Sequence, residues 1–178
     1  MSKFLGKAVG ATILITDTNI FLDLIEGDIL AQLFELPHQI HTTDIILSNE
    51  LAPAQQALLD DFVAVGKLEV RSFTVTELMR IGEWVEAARL EAGEMSVLFH
   101  AQQVGGILLS GDAAFRRYAR EQGMAVHGTL WVLDELVAHA VLSPRAAHQA
   151  LSQMLAQGSD RRLPKAPCEA RLKRWKAS

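Results

Sequence analysis

Ile13-Leu14-Ile15-Thr16-Asp17-Thr18-Asn19-Ile20-Phe21-Leu22 runs an apolar strand straight into an Asp-x-Asn turn and on into the apolar start of a helix. In open α/β sheets ligands sit beyond the carboxyl ends of the strands, so the pattern aims Asp17 at a functional crevice. Helix capping explains the same residue, because Asp and Asn oxygens accept the orphan N–H groups of a first turn. A second stretch of the same design shifts the balance: Ile107-Leu108-Leu109-Ser110-Gly111-Asp112 is again an apolar strand and a small-residue turn bearing an acid, followed by the amphipathic helix Ala113–Gln122. Glu50 lies near the apolar run Ile45–Leu47, and Glu94 opens a helix whose Val97, Leu98 and Ala101 recur at helical spacing. The helix dipole alone would favour Glu94 in a first turn. Four carboxylates gathered at one sheet edge make a divalent-metal site.

The remaining pattern alternates strands with helices. Ala11–Thr16, Gln39–Thr42, Leu68–Ser72, Ile107–Ser110 and Ala125–His127 read as strands. Between them lie helical segments at 19–36 (broken near Gly27), 48–65 (kinked or started at Pro53), 76–92 and 113–122, and two closing helices follow over 130–142 and 145–157. Asp44 is expected to cap the helix that follows Thr42-Thr43. Such alternation predicts an α/β fold with a largely parallel sheet covered by helices.

These pieces together resemble the PIN domain, the nuclease module of VapC-type toxins and related RNA-processing enzymes. The resemblance rests on Thr16-Asp17-Thr18-Asn19, Ser48-Asn49-Glu50-Leu51, Gly93-Glu94-Met95-Ser96-Val97-Leu98-Phe99-His100-Ala101 and Ser110-Gly111-Asp112, with Gly128-Thr129-Leu130 resembling a turn of one subgroup. It covers roughly residues 11–142 and implies a three-layer α/β/α fold. It further implies that Asp17, Glu50, Glu94 and Asp112 are catalytic, with Asp17, Glu94 and Asp112 as ligands of Mg²⁺ or Mn²⁺. Asn19 would hold the Asp17 carboxylate or a metal-bound water, and Ser110 would be an auxiliary polar group. Glu94 stands where many relatives have Asp, and the longer arm alters the metal spacing. Arg116, one turn after Asp112, is placed to reach a substrate phosphate. The implied partners are an RNA substrate, a cognate antitoxin protein and a second copy in a homodimer.

The chemistry asks for these residue types. Mg²⁺ takes oxygen ligands, keeps several waters and binds through carboxylates plus substrate phosphate oxygens. A metal pair can both activate the attacking water and stabilise the leaving oxygen of a phosphodiester. Two other readings compete with a metal-dependent ribonuclease. A phosphotransfer or phosphatase module would use Asp17 as nucleophile, but a phosphatase of that class wants Asp at both ends of its first motif, and this chain has Asp17-Thr18-Asn19. A catalytically silent PIN-like binding protein fits poorly with four intact carboxylates.

Length and composition bound the rest. With 178 residues, 49% of them hydrophobic, and a mean hydropathy of +0.16, the chain can bury one sizeable core. No stretch approaches the roughly 18 uninterrupted apolar residues of a membrane span. Lys3 and Lys7 before Ala8–Ile15 imitate a secretory signal, but no small-x-small cleavage site follows, so a cytoplasmic protein is expected. Lone Cys168 has no intramolecular partner.

Residues 159–178 carry seven basic groups against two acidic ones, a net +5, and the chain total of −4 leaves −9 for residues 1–158. The reading is a PIN-like domain over 1–158 with a basic tail over 159–178, which is solvated, guides RNA phosphates or docks on an acidic partner, and whose removal would mainly weaken RNA binding. Pro164 and Pro167 are expected to break any helix before Glu169. His38 and His41 flank a strand without Cys partners and are expected to be surface or hydrogen-bonded residues rather than transition-metal ligands. His100 is expected to be either buried and hydrogen-bonded or placed behind the acidic site.

Overall fold

In a computed structural model, which describes residues 12–158 and 162–177, the short apolar runs become five strands. These are β1 (Ile13–Thr16), β2 (Gln39–Thr43), β3 (Leu68–Arg71), β4 (Ile107–Leu109) and β5 (Val126–His127). All pairings are parallel, in the order β3-β2-β1-β4-β5. Parallel strands need covered faces and long crossovers, which is why Leu14, Ile15, Ile40, Leu108 and Leu109 are all buried. The chain moves outward from β1 to β3, then crosses back to β4 and on to β5. The direction therefore reverses between β1 and β4, and a crevice opens beyond their carboxyl ends.

Nine helices are described: α1 (Thr18–Glu26), α2 (Leu30–Leu33), α3 (Pro53–Ala64), α4 (Val75–Ala88), α5 (Ala92–Val104), α6 (Ala113–Glu121), α7 (Thr129–Ala138), α8 (Pro144–Gln157) and α9 (Lys165–Lys176). Right-handed crossovers put helices on both faces of the sheet, giving a three-layer α/β/α architecture. Helix α5 packs on β1, β2 and β4 beneath α4, and is buried from Met95 to Ala101. Helices α1, α7 and α8 pack on one another. Close packing of α5 against the sheet is steric: a Cβ on Gly106 would lie 2.1 Å from Ile15 Cδ1. No helix among the described residues is long and apolar enough to cross a membrane.

Several local expectations change. The apolar run Ile45–Leu47 is helical: a turn begins at Asp44 and passes into a π-helical turn over Ile46–Glu50, ahead of the expected helix start at 48. Its cap is Thr43, whose Oγ1 accepts the Ile46 N–H at 3.3 Å, while Asp44 Oδ1 is buried without a partner. Lys3, Lys7, the residues through Ala11 and Arg161 lie outside the described residues.

The C-terminal segment is an ordered part of the fold. Helix α9 starts at Lys165, four residues before the expected Glu169, because Pro167 falls in the first turn, where no intrahelical N–H bond is lost. It packs on α8 and buries Cys168 and Trp175, with Leu163 just ahead of it. Its approach is anchored by Arg162, whose Nε and Nη2 donate to Asp23 Oδ1 at 3.0 and 2.7 Å, and whose Nη2 also reaches Glu26 at 2.9 Å. Asp23 is fully buried and also accepts a hydrogen bond from Thr129 Oγ1 at 2.5 Å. Arg171 and Arg174 both pair with Asp134. Removing this segment strips core surface, so it does more than weaken a contact to RNA.

Trp175→Ala should therefore lower unfolding free energy by about 3–5 kcal/mol. Arg162→Ala should cost about 1.5–3 kcal/mol, because it removes charge-assisted hydrogen bonds to the buried Asp23 carboxylate. Urea denaturation checks both, and unchanged midpoints would show that α9 contributes nothing to the fold.

Candidate active site

The end of β1 delivers Asp17 to the crevice. The residue stays in the ladder through its N–H, which donates to Leu109 O at 2.9 Å, then leaves extended geometry to cap α1. Its Oδ1 accepts the Thr18 N–H at 2.8 Å and its Oδ2 accepts the Ser110 hydroxyl at 2.7 Å. Ser110 also accepts the Asp112 N–H at 3.2 Å, so one side chain at the end of β4 links two carboxylate positions. Asp112 caps α6 through Oδ1, which accepts the Phe115 N–H at 2.7 Å.

The other two acids arrive from the opposite side. Glu50 ends the π-helical turn and accepts a hydrogen bond from the Thr18 hydroxyl. Its carboxylate sits against Gly93, where a Cβ would lie 1.7 Å from Glu50 Oε1, so a larger residue there would displace the carboxylate. Glu94 lies one turn into α5 and accepts the Glu91 N–H at 3.0 Å. Asp17, Glu50, Glu94 and Asp112, far apart in sequence, thus converge on one crevice. Glu91 joins them as a fifth acid whose charge acts on both Glu50 and Glu94. The only sequence trace of Glu91 is the Glu-x-x-Glu spacing of a helix start.

Asn19, expected to hold the Asp17 carboxylate or a metal-bound water, has its Cβ beside Gly111, and the described bonds to the Asp17 carboxylate come from Thr18 and Ser110. Arg116 leans on Gly128, and its Nε is buried without a hydrogen-bond partner. It lines a cavity of about 220 Å³ with Gly111, His127, Trp131, Arg162 and Arg171. His127 and Trp131 stack there, with ring centroids 4.4 Å apart and planes nearly parallel. His100 takes the buried, hydrogen-bonded alternative: its Nε2 lies 2.9 Å from His41 Nδ1, and burial together with the His41 neighbour lowers its pKa to about 4.

Electrostatics mark the acidic cluster. Burial, then Glu50 and Asp112, push the Asp17 pKa up to about 6 against two opposing hydrogen bonds. Burial, then Asp17, Asp112 and Glu91, push Glu94 up to about 7. Glu50 is raised as well, first by burial and then by Glu91. No ion pair among the described residues includes any of these acids. An all-oxygen donor set in which burial and neighbouring charge raise the pKa values of Asp17, Glu50 and Glu94 fits a hard divalent ion, which would relieve the repulsion.

A family profile described as a PIN domain matches residues 13–177. The chain belongs to the PIN-domain family. No curated protein matches it. The match reaches past α8 through α9, and the all-parallel five-stranded sheet is that of a PIN-like α/β/α fold. Membership of this family carries a nuclease-type hydrolase function and a general capacity to bind divalent metals, and it sets aside the phosphatase reading.

The raised pKa values have a definite sign. Below about pH 4 the acids are protonated in both folded and unfolded chains. As pH rises, the unfolded chain ionises first, near 3.8 for Asp and 4.5 for Glu, while folded Asp17 and Glu94 hold protons to about 6 and 7. Metal-free stability is therefore lost between about pH 4 and 7. For buried Asp17 the loss is on the order of 3 kcal/mol. Asp17→Asn keeps a capping oxygen and removes the charge. In EDTA it should raise the melting temperature at pH 8 but not near pH 4, and a mutant less stable than the parent at pH 8 would refute the repulsion.

Proposed function

We propose that this PIN domain is a divalent-metal-dependent endoribonuclease, the toxin component of a toxin–antitoxin pair. The observation that carries the reading is the gathering of Asp17, Glu50, Glu94 and Asp112 at the β1/β4 crevice, with no lysine or arginine in an ion pair with any of them among the described residues. Asp17, Glu94 and Asp112 would hold Mg²⁺ or Mn²⁺. When bound, such an ion supplies Lewis-acid stabilisation of charge on the phosphodiester and lowers the pKa of a coordinated water.

The chain's own groups do the rest. Ser110 fixes the Asp17 carboxylate through its hydroxyl, and the α1 and α6 caps orient Asp17 and Asp112 before substrate arrives. Thr18 holds Glu50 over Gly93, leaving that acid to accept a proton from the attacking water. The Arg116 cavity lies next along the chain from Asp112, with Gly111 on its wall. A guanidinium beside an aromatic stack suits a neighbouring phosphate and base of a single strand, where stacking tolerates any sequence. The resemblance to VapC-type toxins supports RNA as substrate, an antitoxin as partner and the cytoplasm as the site of action.

Cleavage should require Mg²⁺ or Mn²⁺, stop in EDTA, and act on single-stranded RNA in preference to DNA of the same sequence. Asp17→Asn and Asp112→Asn should each lower kcat on the order of 100-fold or more, about 3 kcal/mol of transition-state stabilisation, with folding retained. Arg116→Ala should raise KM and flatten the salt dependence of binding. End-group analysis decides the mechanism: a 5′-phosphate with a 3′-hydroxyl is expected, whereas a 2′,3′-cyclic phosphate would show that the RNA's own 2′-hydroxyl attacked.

A further inference from the structure

A second group of metal-binding side chains lies at the opposite edge of the sheet. His38 stands in the connection that enters β2, one residue before the strand's amino end. Glu135 and His139 sit one turn apart at the end of α7, an i, i+4 pair on one helix face. Both imidazoles turn the same nitrogen, Nε2, toward the same carboxylate oxygen. His38 Nε2 lies 3.5 Å from Glu135 Oε2, and His139 Nε2 lies 3.3 Å from it. The three ligand atoms all lie within 4.8 Å of one another, and the two rings meet edge to face, 5.7 Å apart.

Those separations are long for N–H···O hydrogen bonds, which cluster at about 2.9–3.0 Å. They match the edge of a tetrahedral shell: with Zn–N and Zn–O bonds of about 2.0–2.1 Å, neighbouring ligand atoms are about 3.3–3.4 Å apart. Glu135 has no lysine or arginine in its ion pairs, only these two imidazoles, among the described residues. His38 Nδ1 is buried and has no hydrogen-bond partner among the described residues, so none of them fixes the ring's tautomer. His38 and Glu135 are partly buried and His139 is exposed, so a fourth position would open to solvent.

We propose that His38, Glu135 and His139 form a Zn²⁺-class site, separate from the acidic crevice, that clamps the entry to β2 onto the end of α7. Two imidazoles and one carboxylate select borderline transition ions over Mg²⁺, the reverse of the all-oxygen crevice. Three protein ligands plus water complete the tetrahedron. The clamp joins residues 97 positions apart, and metal bound only by the folded state stabilises it by mass action.

The test uses the full chain carrying Asp17→Asn and Asp112→Asn, so that the crevice is silenced whatever its role. Calorimetric titration with Zn²⁺ should show one equivalent bound, Co²⁺ should give the intense visible bands of a four-coordinate site, and Zn²⁺ should raise the melting temperature. His38→Ala, Glu135→Gln and His139→Ala should each weaken Zn²⁺ at least about tenfold and abolish the cobalt bands. His148→Ala should not. Metal-free circular dichroism confirms that the variants fold. Absent binding, an octahedral cobalt spectrum, or affinity unaffected by the three substitutions would overturn the site, the last by placing the ion elsewhere.

Discussion

Asp17 is only 2% exposed, held between the Ser110 hydroxyl and the Thr18 N–H, with Glu50 and Asp112 close enough to raise its pKa. A buried carboxylate with no cation beside it is costly. The surrounding structure exists to hold it there: a strand order that reverses at β1 and β4, a serine at the end of β4, and two helices that start at the crevice. Capping and clustering are complementary. A carboxylate has two oxygens, and in Asp112 one cap bond engages Oδ1, leaving Oδ2 outside that bond. The backbone interactions that stabilise α1 and α6 thereby also set the direction in which their acids face.

What was legible in the sequence follows from this coupling. Asp17 and Asp112 stand at the ends of apolar runs, and the end of a parallel strand is also the place of the crevice, so reading the strand locates the acid. Glu50 and Glu91 are harder. Glu50 reaches the crevice because a π-helical turn spends an extra residue over Ile46–Glu50 and because Gly93 leaves room for it. Neither hydrophobic period nor capping preference encodes that widening, and the same run of apolar residues reads equally well as a strand. Thr43 rather than Asp44 caps this turn for a similar reason. Thr43 already faces Ser96 across the sheet–α5 contact, and tertiary context decides which of two competent side chains does the capping.

The C-terminal segment shows where counting charges fails. Seven basic groups against two acidic ones read as a tail looking for a polyanion, yet the acidic body is itself that partner. Arg162 is bound to Asp23 and Glu26, and Arg171 and Arg174 to Asp134. Sequence gives the number of charges and no pairing. The apolar signal was present in Leu163, Cys168 and Trp175, but these residues fall five and seven positions apart around two prolines, a pattern too sparse to show a buried face. Burial pushes the Cys168 thiol pKa upward, so it packs as a small hydrophobe rather than a reactive group.

The same distribution of charge bears on how a polyanion would enter the proposed nuclease site. Four or five carboxylates repel phosphate, so the crevice alone opposes the substrate it is proposed to cleave, and neutralisation by divalent ions must precede or accompany binding. The Arg116 cavity answers part of this requirement, because its arginines and the His127–Trp131 stack lie beyond Gly111, one residue from Asp112. Arg162 and Arg171 serve both purposes: they tie α9 to Asp23, Glu26 and Asp134, and they form the cavity's positive wall. Packing of the C-terminal segment on the acidic body therefore also brings Arg162 and Arg171 to the cavity, so the ion pairs that hold the segment in place shape the wall beside Gly111.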